Sequence, residues 1–310
     1  MRILFTGSGG AGSQAVWTLY KNKYNLYFAD SNPKSIIPII PNNKCIKIPL
    51  AKSKNFIDSI IRITNKNKID VLVPGVDEEL LLIAKARDKF KNSIIYLPQK
   101  KFIINMLDKF LSNRSINEVG IKVPKTELVD NLSDSINFPC IIKPRIGRGS
   151  RGVRTIYSNT DIESYINLYS KKRDEIIVQE LLKGQEYTVF VAADENARLK
   201  AIIPVRVIEK RGITIRAETE NNQLIIDFIK IFHKKFNPKH IYNVQCMLTA
   251  KGEVMVFEVN PRISTTFCLA VSAGFDPFEK NDSSDHIFTP KNSYKIKRNW
   301  FNYISEVKNN

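Results

Sequence analysis

The sequence predicts an open α/β domain with a parallel sheet, followed by a larger α+β region of antiparallel strands. Two patterns and the size of the chain carry this prediction. Up to about residue 98, short apolar runs alternate with helical patterns, and strands separated by helices of about 10–15 residues require crossover connections. From Cys140 onward, strand-like runs follow one another with fewer helices between them, which is how antiparallel sheets read. With 310 residues and 43% hydrophobic composition, the chain can bury one full core or two smaller ones.

The first strand is Arg2–Phe5, the first helix Ser13–Lys23 and the second strand Leu26–Ala29. A helix over Asn55–Asn65, a strand at Asp70–Pro74, a helix over Asp77–Phe90 and a strand at Ser93–Tyr96 complete the α/β domain, assigned to residues 1–98. Strands are then expected at 140–144, 153–156, 175–181, 186–193, 199–209, 241–248 and 254–259. Helical spacing marks 100–118, 159–170, 221–236 and 265–273. The segment after Phe278 reads as polar and irregular until Trp300 and Phe301.

Composition narrows the function. No run approaches the roughly 18 apolar residues of a membrane span, and Gly7 interrupts the first apolar run too early for a signal peptide, so a cytoplasmic protein with no membrane partner is expected. Cys45, Cys140, Cys246 and Cys268 lie far apart in apolar runs and read as buried, reduced thiols. His233, His240 and His286 form no metal or triad grouping. The net charge of +17 comes from lysines spread along the chain, with no basic arm that would mark a nucleic-acid partner. The exception is the cation-rich stretch from Lys143 to Arg154.

Gly7-Ser8-Gly9-Gly10-Ala11-Gly12 matches G-x-G-x-x-G between a strand and a helix, with Asp30 ending the second strand, as in a dinucleotide site. Three readings stand: a nucleotide cofactor site, a substrate-side anion contact through Gly9 and Gly10, or turn geometry alone. A dehydrogenase would also need catalytic residues that the rest of the sequence does not offer.

Four segments together describe a nucleotide site. Ile141–Pro144 is a strand delivering Lys143 into a loop containing Gly147, Gly149, Ser150 and Gly152, which can fold over a polyphosphate with N–H and hydroxyl donors while the lysine supplies a point charge. Ile176–Val189 reads as strand, turn and strand; Glu180, the Leu182 backbone and Leu181 can hold an adenine, and Glu186 can accept from a ribose. In Met255–Arg262, period-two alternation puts Glu258 and Asn260 on one face, and a hairpin about Lys251-Gly252 brings Gln245 opposite them. Three oxygen donors suit Mg²⁺, which fills its shell with phosphate oxygens and water, and Arg262 can reach a transferring phosphoryl group. Lys109, in Met106–Phe110, is a further lysine ahead of the loop.

The ordered set Asp108-Lys109, Ile142-Lys143-Pro144 with its glycine loop, Val178-Gln179-Glu180, Glu186-Tyr187 and Phe257–Arg262 resembles the ATP-grasp superfamily, most closely the synthetase domains of carbamoyl phosphate synthase large chains. The resemblance covers roughly residues 1–275 and includes Pro74–Leu80. It implies a Rossmann-like pre-ATP-grasp α/β domain, then a two-lobed ATP-grasp domain over 99–302 with a flap lobe at about 120–182, and a tail at 303–310. It also implies that Lys109 and Lys143 hold ATP phosphates, that the loop from Gly147 to Gly152 covers them, and that Glu180, Leu181 and Leu182 contact adenine and Glu186 ribose. By the same resemblance Gln245, Glu258 and Asn260 bind Mg²⁺, for which Mn²⁺ can substitute, and Arg262 steadies an acyl phosphate.

The expected chemistry is ligation of a small-molecule carboxylate to an amine or other nucleophile, with Arg262 and Lys143 as catalytic residues. Arg206, Arg216 and Glu218 are candidate substrate contacts, and a homodimer is compatible with the sequence. A non-catalytic ATP-binding regulator and an oxidoreductase using the N-terminal glycines are the competing readings.

Overall fold

The computed structural model describes residues 1–133, 136–279 and 286–299. Its N-terminal part is a five-stranded parallel sheet ordered β3-β2-β1-β4-β5, from β1 (Arg2–Thr6), β2 (Asn25–Asp30), β3 (Cys45–Lys47), β4 (Val71–Val73) and β5 (Ile94–Ile95). Helices α1 (Ser13–Tyr20), α2 (Phe56–Lys66) and α3 (Asp77–Lys85) make the crossovers. Successive strand residues point to opposite faces, so Ile3 and Phe5 pack with Val16 and Tyr20 of α1 on one side. Leu4 packs with Phe56, Ile60, Leu80 and Ile83 on the other.

The segment 100–118 expected as one helix is two, α4 (Lys100–Leu107) and α5 (Lys109–Glu118). Asp108 breaks it: its backbone is extended, and its carboxylate accepts from the N–H groups of Phe110 and Leu111, satisfying donors that a fresh helix start leaves orphaned.

A four-stranded antiparallel sheet ordered β6-β9-β7-β8 follows, from β6 (Thr126–Leu128), β7 (Cys140–Pro144), β8 (Arg154–Ile156) and β9 (Ile176–Glu180), packed on α6 (Asn159–Tyr169). The last layer is a six-stranded antiparallel sheet ordered β14-β13-β10-β11-β12-β15. Its strands are β10 (Gln185–Ala193), β11 (Leu199–Arg211), β12 (Ile213–Thr219), β13 (Ile241–Leu248), β14 (Val254–Asn260) and β15 (Lys295–Lys297), accompanied by α7 (Gln223–Phe236) and α8 (Phe267–Ser272).

One face of this sheet packs on α7 through Val189, Val191 and Ile225. The other shares a core with the first domain through Phe190, Ile203 and Phe267. The site therefore lies where three sheets meet. Strands β3, β6, β12 and β15 have no counterpart in the sequence reading, and β15 replaces the irregular course expected there; Trp300, Phe301 and the 303–310 tail lie outside the described residues. The four cysteines are free, with Cys45 half-buried rather than buried.

Candidate active site

Two adjoining cavities lie between the sheets, of about 220 Å³ and about 270 Å³. The smaller is floored by the lysines. β7 carries Lys143 inward, where its ammonium donates to Gln179 Oε1 at 2.7 Å. Burial lowers its pKa to about 8; Glu258 opposes the shift, while Lys109 and Lys210 add to it. Lys109 is the first residue of α5, placed there by the Asp108 cap, and its Nζ donates to the Gly147 carbonyl at 2.6 Å. Asp108 also takes an ion pair from Arg145 Nε at 2.6 Å, fixing the start of the glycine loop. Both ammonium groups thus have neutral protein partners, an arrangement suited to an incoming polyanion.

The loop from Gly147 to Gly152 spans all three sheets. Arg148 pairs with Glu78 at the start of α3 at 3.2 Å, and Ser150 Oγ donates to the Gly212 carbonyl at 3.2 Å. Gly152 has φ +72°, and a Cβ there would lie 2.9 Å from Tyr165 Oη, so only glycine fits without strain. Glu180, Leu181 and Leu182 line the same cavity, with Ile141, Met247 and Phe257 as apolar walls. Glu180 is not wholly free, since its carboxylate accepts from the Lys125 N–H at 3.2 Å.

Gln245 stands opposite Glu258 and Asn243 opposite Asn260, with a register shift between Gln245 and Cys246. The shift leaves Phe257 as the extra residue of a bulge on β14, and bulges re-aim neighbouring side chains. Consecutive residues Phe257 and Glu258 consequently both face the smaller cavity. Among the described residues the Glu258 carboxylate has no hydrogen-bond or ion-pair partner. One unpartnered carboxylate beside the amides of Gln245 and Asn260 fits a hard cation that draws further ligands from phosphate. No group of three His, Cys, Asp or Glu capable of holding a metal alone occurs among the described residues. Arg262 is anchored to Asp77 by a short ion pair and lies 3.4 Å from Asn260 Oδ1.

The larger cavity runs from these residues to the N-terminal glycine loop, touching Gly7, Gly10 and Gly12. Gly7 has φ +64°, and a Cβ there would lie 2.5 Å from Val76 Cγ1, so the turn requires glycine. Beneath the loop, the Thr6 hydroxyl donates to buried Glu79. Burial pushes the Glu79 carboxyl up to about 7 against the pull of the Thr6 bond, with Asp30 and Glu78 adding to the rise.

Four expected contacts are placed elsewhere. Alternation along β10 sends Glu186 and Thr188 to the cavity side and Tyr187 away, and Arg206 pairs opposite Tyr187 with Glu218 opposite Arg206. Arg206 and Glu218 therefore form an ion pair on the far face, which Glu220 joins at 3.3 Å. Arg216 is exposed and lines neither cavity. Gly9 turns away as well: its N–H donates to Asp30 Oδ2 at 2.8 Å, and Asp30 also holds the Asn32 N–H. Asp30 is thereby occupied in shaping the loop rather than open to a ribose.

Lys210 was not foreseen. It lines both cavities, pairs with Glu186 at 2.6 Å and approaches Gln245 Oε1 at 3.3 Å. Register shifts on either side of Glu209 turn it inward, and nothing in the residue types announces them. Asp77 lay within the segment that carried the family resemblance, but its partner is Arg262, 185 residues away.

The family described as "ATP-grasp domain" matches residues 106–266, and "PylC-like, N-terminal domain" matches residues 3–97. The carbamoyl phosphate synthase large chain of Campylobacter jejuni is 24% identical over 304 residues, covering 87% of this chain and 27% of that protein. The D-alanine–D-alanine ligase A of Bacillus cereus is 26% identical over 184 residues, covering 57% of this chain and 54% of that one. The chain thus spans about a quarter to a half of the length of these relatives. Among solved structures, the N5-carboxyaminoimidazole ribonucleotide synthetase of Thermotoga maritima shares the fold, with a TM-score of 0.63 at 19% identity over 90% of this chain and 74% of that one. With the match to the first of these families covering more than half of its residues, the chain belongs to the ATP-grasp family.

Proposed function

We propose that this protein is an ATP-dependent carboxylate ligase that activates its acid as an acyl phosphate and passes the acyl group to an amine or related nucleophile. The observation that carries this reading is the junction of the two cavities. There the unpartnered Glu258 carboxylate faces the smaller cavity, which holds Lys109 and Lys143 with only neutral partners, and the larger cavity opens at the same residue.

On this reading ATP occupies the smaller cavity. Leu181, Ile141 and Met247 enclose the adenine, Glu180 and the Leu182 backbone read its edge, and Glu186 exchanges its Lys210 partner for ribose hydroxyls. Lys109, Lys143 and the backbone of Gly147, Gly149, Ser150 and Gly152 hold the phosphates. Gln245, Glu258 and Asn260 hold Mg²⁺, which when bound neutralises phosphate oxygens and makes the γ-phosphorus more electrophilic; Mn²⁺ takes similar oxygen ligands.

An oxygen of the substrate carboxylate attacks the γ-phosphorus in line as the bond to the β-phosphate oxygen breaks, and ADP leaves with that electron pair. The nucleophile then attacks the acyl carbon, the bond to the phosphate oxygen breaks, and inorganic phosphate departs while the nucleophile loses its proton to solvent. Arg262, held by Asp77, neutralises the charge that builds on the transferring group.

Phosphate release from Mg-ATP across pools of carboxylic acids and amines tests this, with Glu258→Gln alongside. Acid-dependent release that falls about 100-fold or more in the variant is expected, with ATP affinity changed far less. Tight ATP binding with no release under any pool would instead favour a non-catalytic ATP-binding regulator.

A further inference from the structure

We infer that the acid activated here is a monocarboxylate with an apolar body, its carboxyl group at the junction and its body in the larger cavity. The inference rests on the ligase reading and adds the chemistry of the substrate. The larger cavity has a polarity gradient. Its charged residues Arg148, Glu186, Lys210 and Glu258 are those it shares with the smaller cavity, and Arg262 neighbours them. Its opposite wall is Phe5, Val16, Phe28, Val73, Phe267 and Cys268.

Most hydroxyls lining the cavity are already committed: Ser8 Oγ donates to the Phe5 carbonyl at 2.9 Å, Ser13 Oγ to the Ser8 carbonyl at 2.7 Å, and the Ser264 and Thr266 hydroxyls bond each other at 2.8 Å. Among the described residues no carboxylate other than Glu186 and Glu258 lines the cavity. An ammonium carried into the far end would meet no carboxylate in the lining, and a second carboxylate no cation in it, since Arg148 and Arg262 are both at the charged end and paired with Glu78 and Asp77, and Arg298 behind the wall is spent on the carbonyls of Ala11, Thr214 and Thr265. Burying an unpaired charge is strongly unfavourable, whereas burying hydrocarbon is favourable. At about 270 Å³ the space lies just below the usual range of ligand pockets, suited to a branched aliphatic or single-ring body.

Hydroxylamine traps acyl phosphates as hydroxamates whatever the natural acceptor, so hydroxamate formation from Mg-ATP reads acid activation directly. The panel is branched aliphatic and arylacetic acids, the corresponding α-amino acids, and dicarboxylates. Apolar monocarboxylates should lead, with kcat/KM rising about fourfold per added methylene until the cavity is full, and the zwitterions and dicarboxylates at least about tenfold poorer. Ile213→Gln, at the half-buried cavity wall, should lower kcat/KM for apolar acids more than for polar ones.

A second readout is calorimetric titration of the same acids into protein loaded with magnesium and a non-hydrolysable ATP analogue, which should give the same order. Dicarboxylates or amino acids leading in both assays overturns the inference and leaves the ligase reading standing. Apolar acids that bind tightest yet give no hydroxamate support the apolar site and count against the ligase reading. No preference among the acids in either assay overturns the inference.

Discussion

Lys143 is a cation at 4% exposure whose hydrogen-bond partner is a neutral amide. Burial favours its neutral form, which is why its pKa falls to about 8 from 10.5. For folding, the penalty on the charged form is fully present below about pH 8 and is relieved as pH rises toward 10.5. For ligand binding the sign is opposite: a polyphosphate beside the ammonium favours its charged form and raises the pKa again. Binding of an ATP analogue at pH 8.5 should therefore draw up a substantial fraction of a proton, seen as a binding enthalpy that varies with the ionisation enthalpy of the buffer. Lys143→Met should abolish that dependence. Equal enthalpies in all buffers for the unaltered protein would place Lys143 away from the phosphates.

At the scale of elements, the sequence signal was strongest where period and chemistry coincide. β7 opens on the apolar run Cys140-Ile141-Ile142, β13 is polar only at Asn243 and Gln245, and the bounds of both match the sequence reading. The donor face of Gln245, Glu258 and Asn260 was also legible, because alternation places residues 258 and 260 together and Lys251-Gly252 marks the turn. Three-residue strands such as β3, β6 and β15 are too short to show a period, and pairing alone defines them. Arg206 and Glu218 lie away from both cavities for a related reason: charge shows in a sequence, but the face of a strand pointing at a cavity depends on which neighbours it pairs with. The break between α4 and α5 had a local signal in Asp108, a residue type favoured at helix starts, which the surrounding helical spacing masked. Because Asp108 both caps α5 and pairs with Arg145, Asp108→Ala should cost about 1–2 kcal/mol of stability. It should also raise the KM for ATP through displacement of Lys109. Asp108→Asn keeps the cap and should retain most of the stability while still weakening ATP, as thermal unfolding and steady-state kinetics together would reveal. Equal ATP kinetics in all three proteins would show that the helix start does not position the lysine.

Across the whole molecule, the larger cavity is walled by segments far apart in sequence, and Arg298 beyond β15 joins three of them. Its Nη1 donates to the Ala11 carbonyl at 3.0 Å, its Nε to the Thr214 carbonyl at 3.0 Å, and its Nη2 to the Thr265 carbonyl at 2.5 Å. Ala11, Thr214 and Thr265 all line the larger cavity; they belong to the N-terminal glycine loop, strand β12 and the turn before α8. Carbonyl oxygens are common to every residue type, so a contact of this kind leaves no motif, and no reading of side chains would have joined Arg298 to the site. A guanidinium can serve three acceptors in one plane, which an ammonium on a flexible stem does not reproduce. Arg298→Met should thus loosen the acid-binding wall while sparing the nucleotide cavity, none of whose lining residues it touches. We expect the KM for the acid to rise about tenfold or more with the KM for ATP within about twofold, and Arg298→Lys to recover little of the loss. Parallel changes in both constants, or full recovery with lysine, would mean that Arg298 contributes general stability or charge rather than the shape of the cavity.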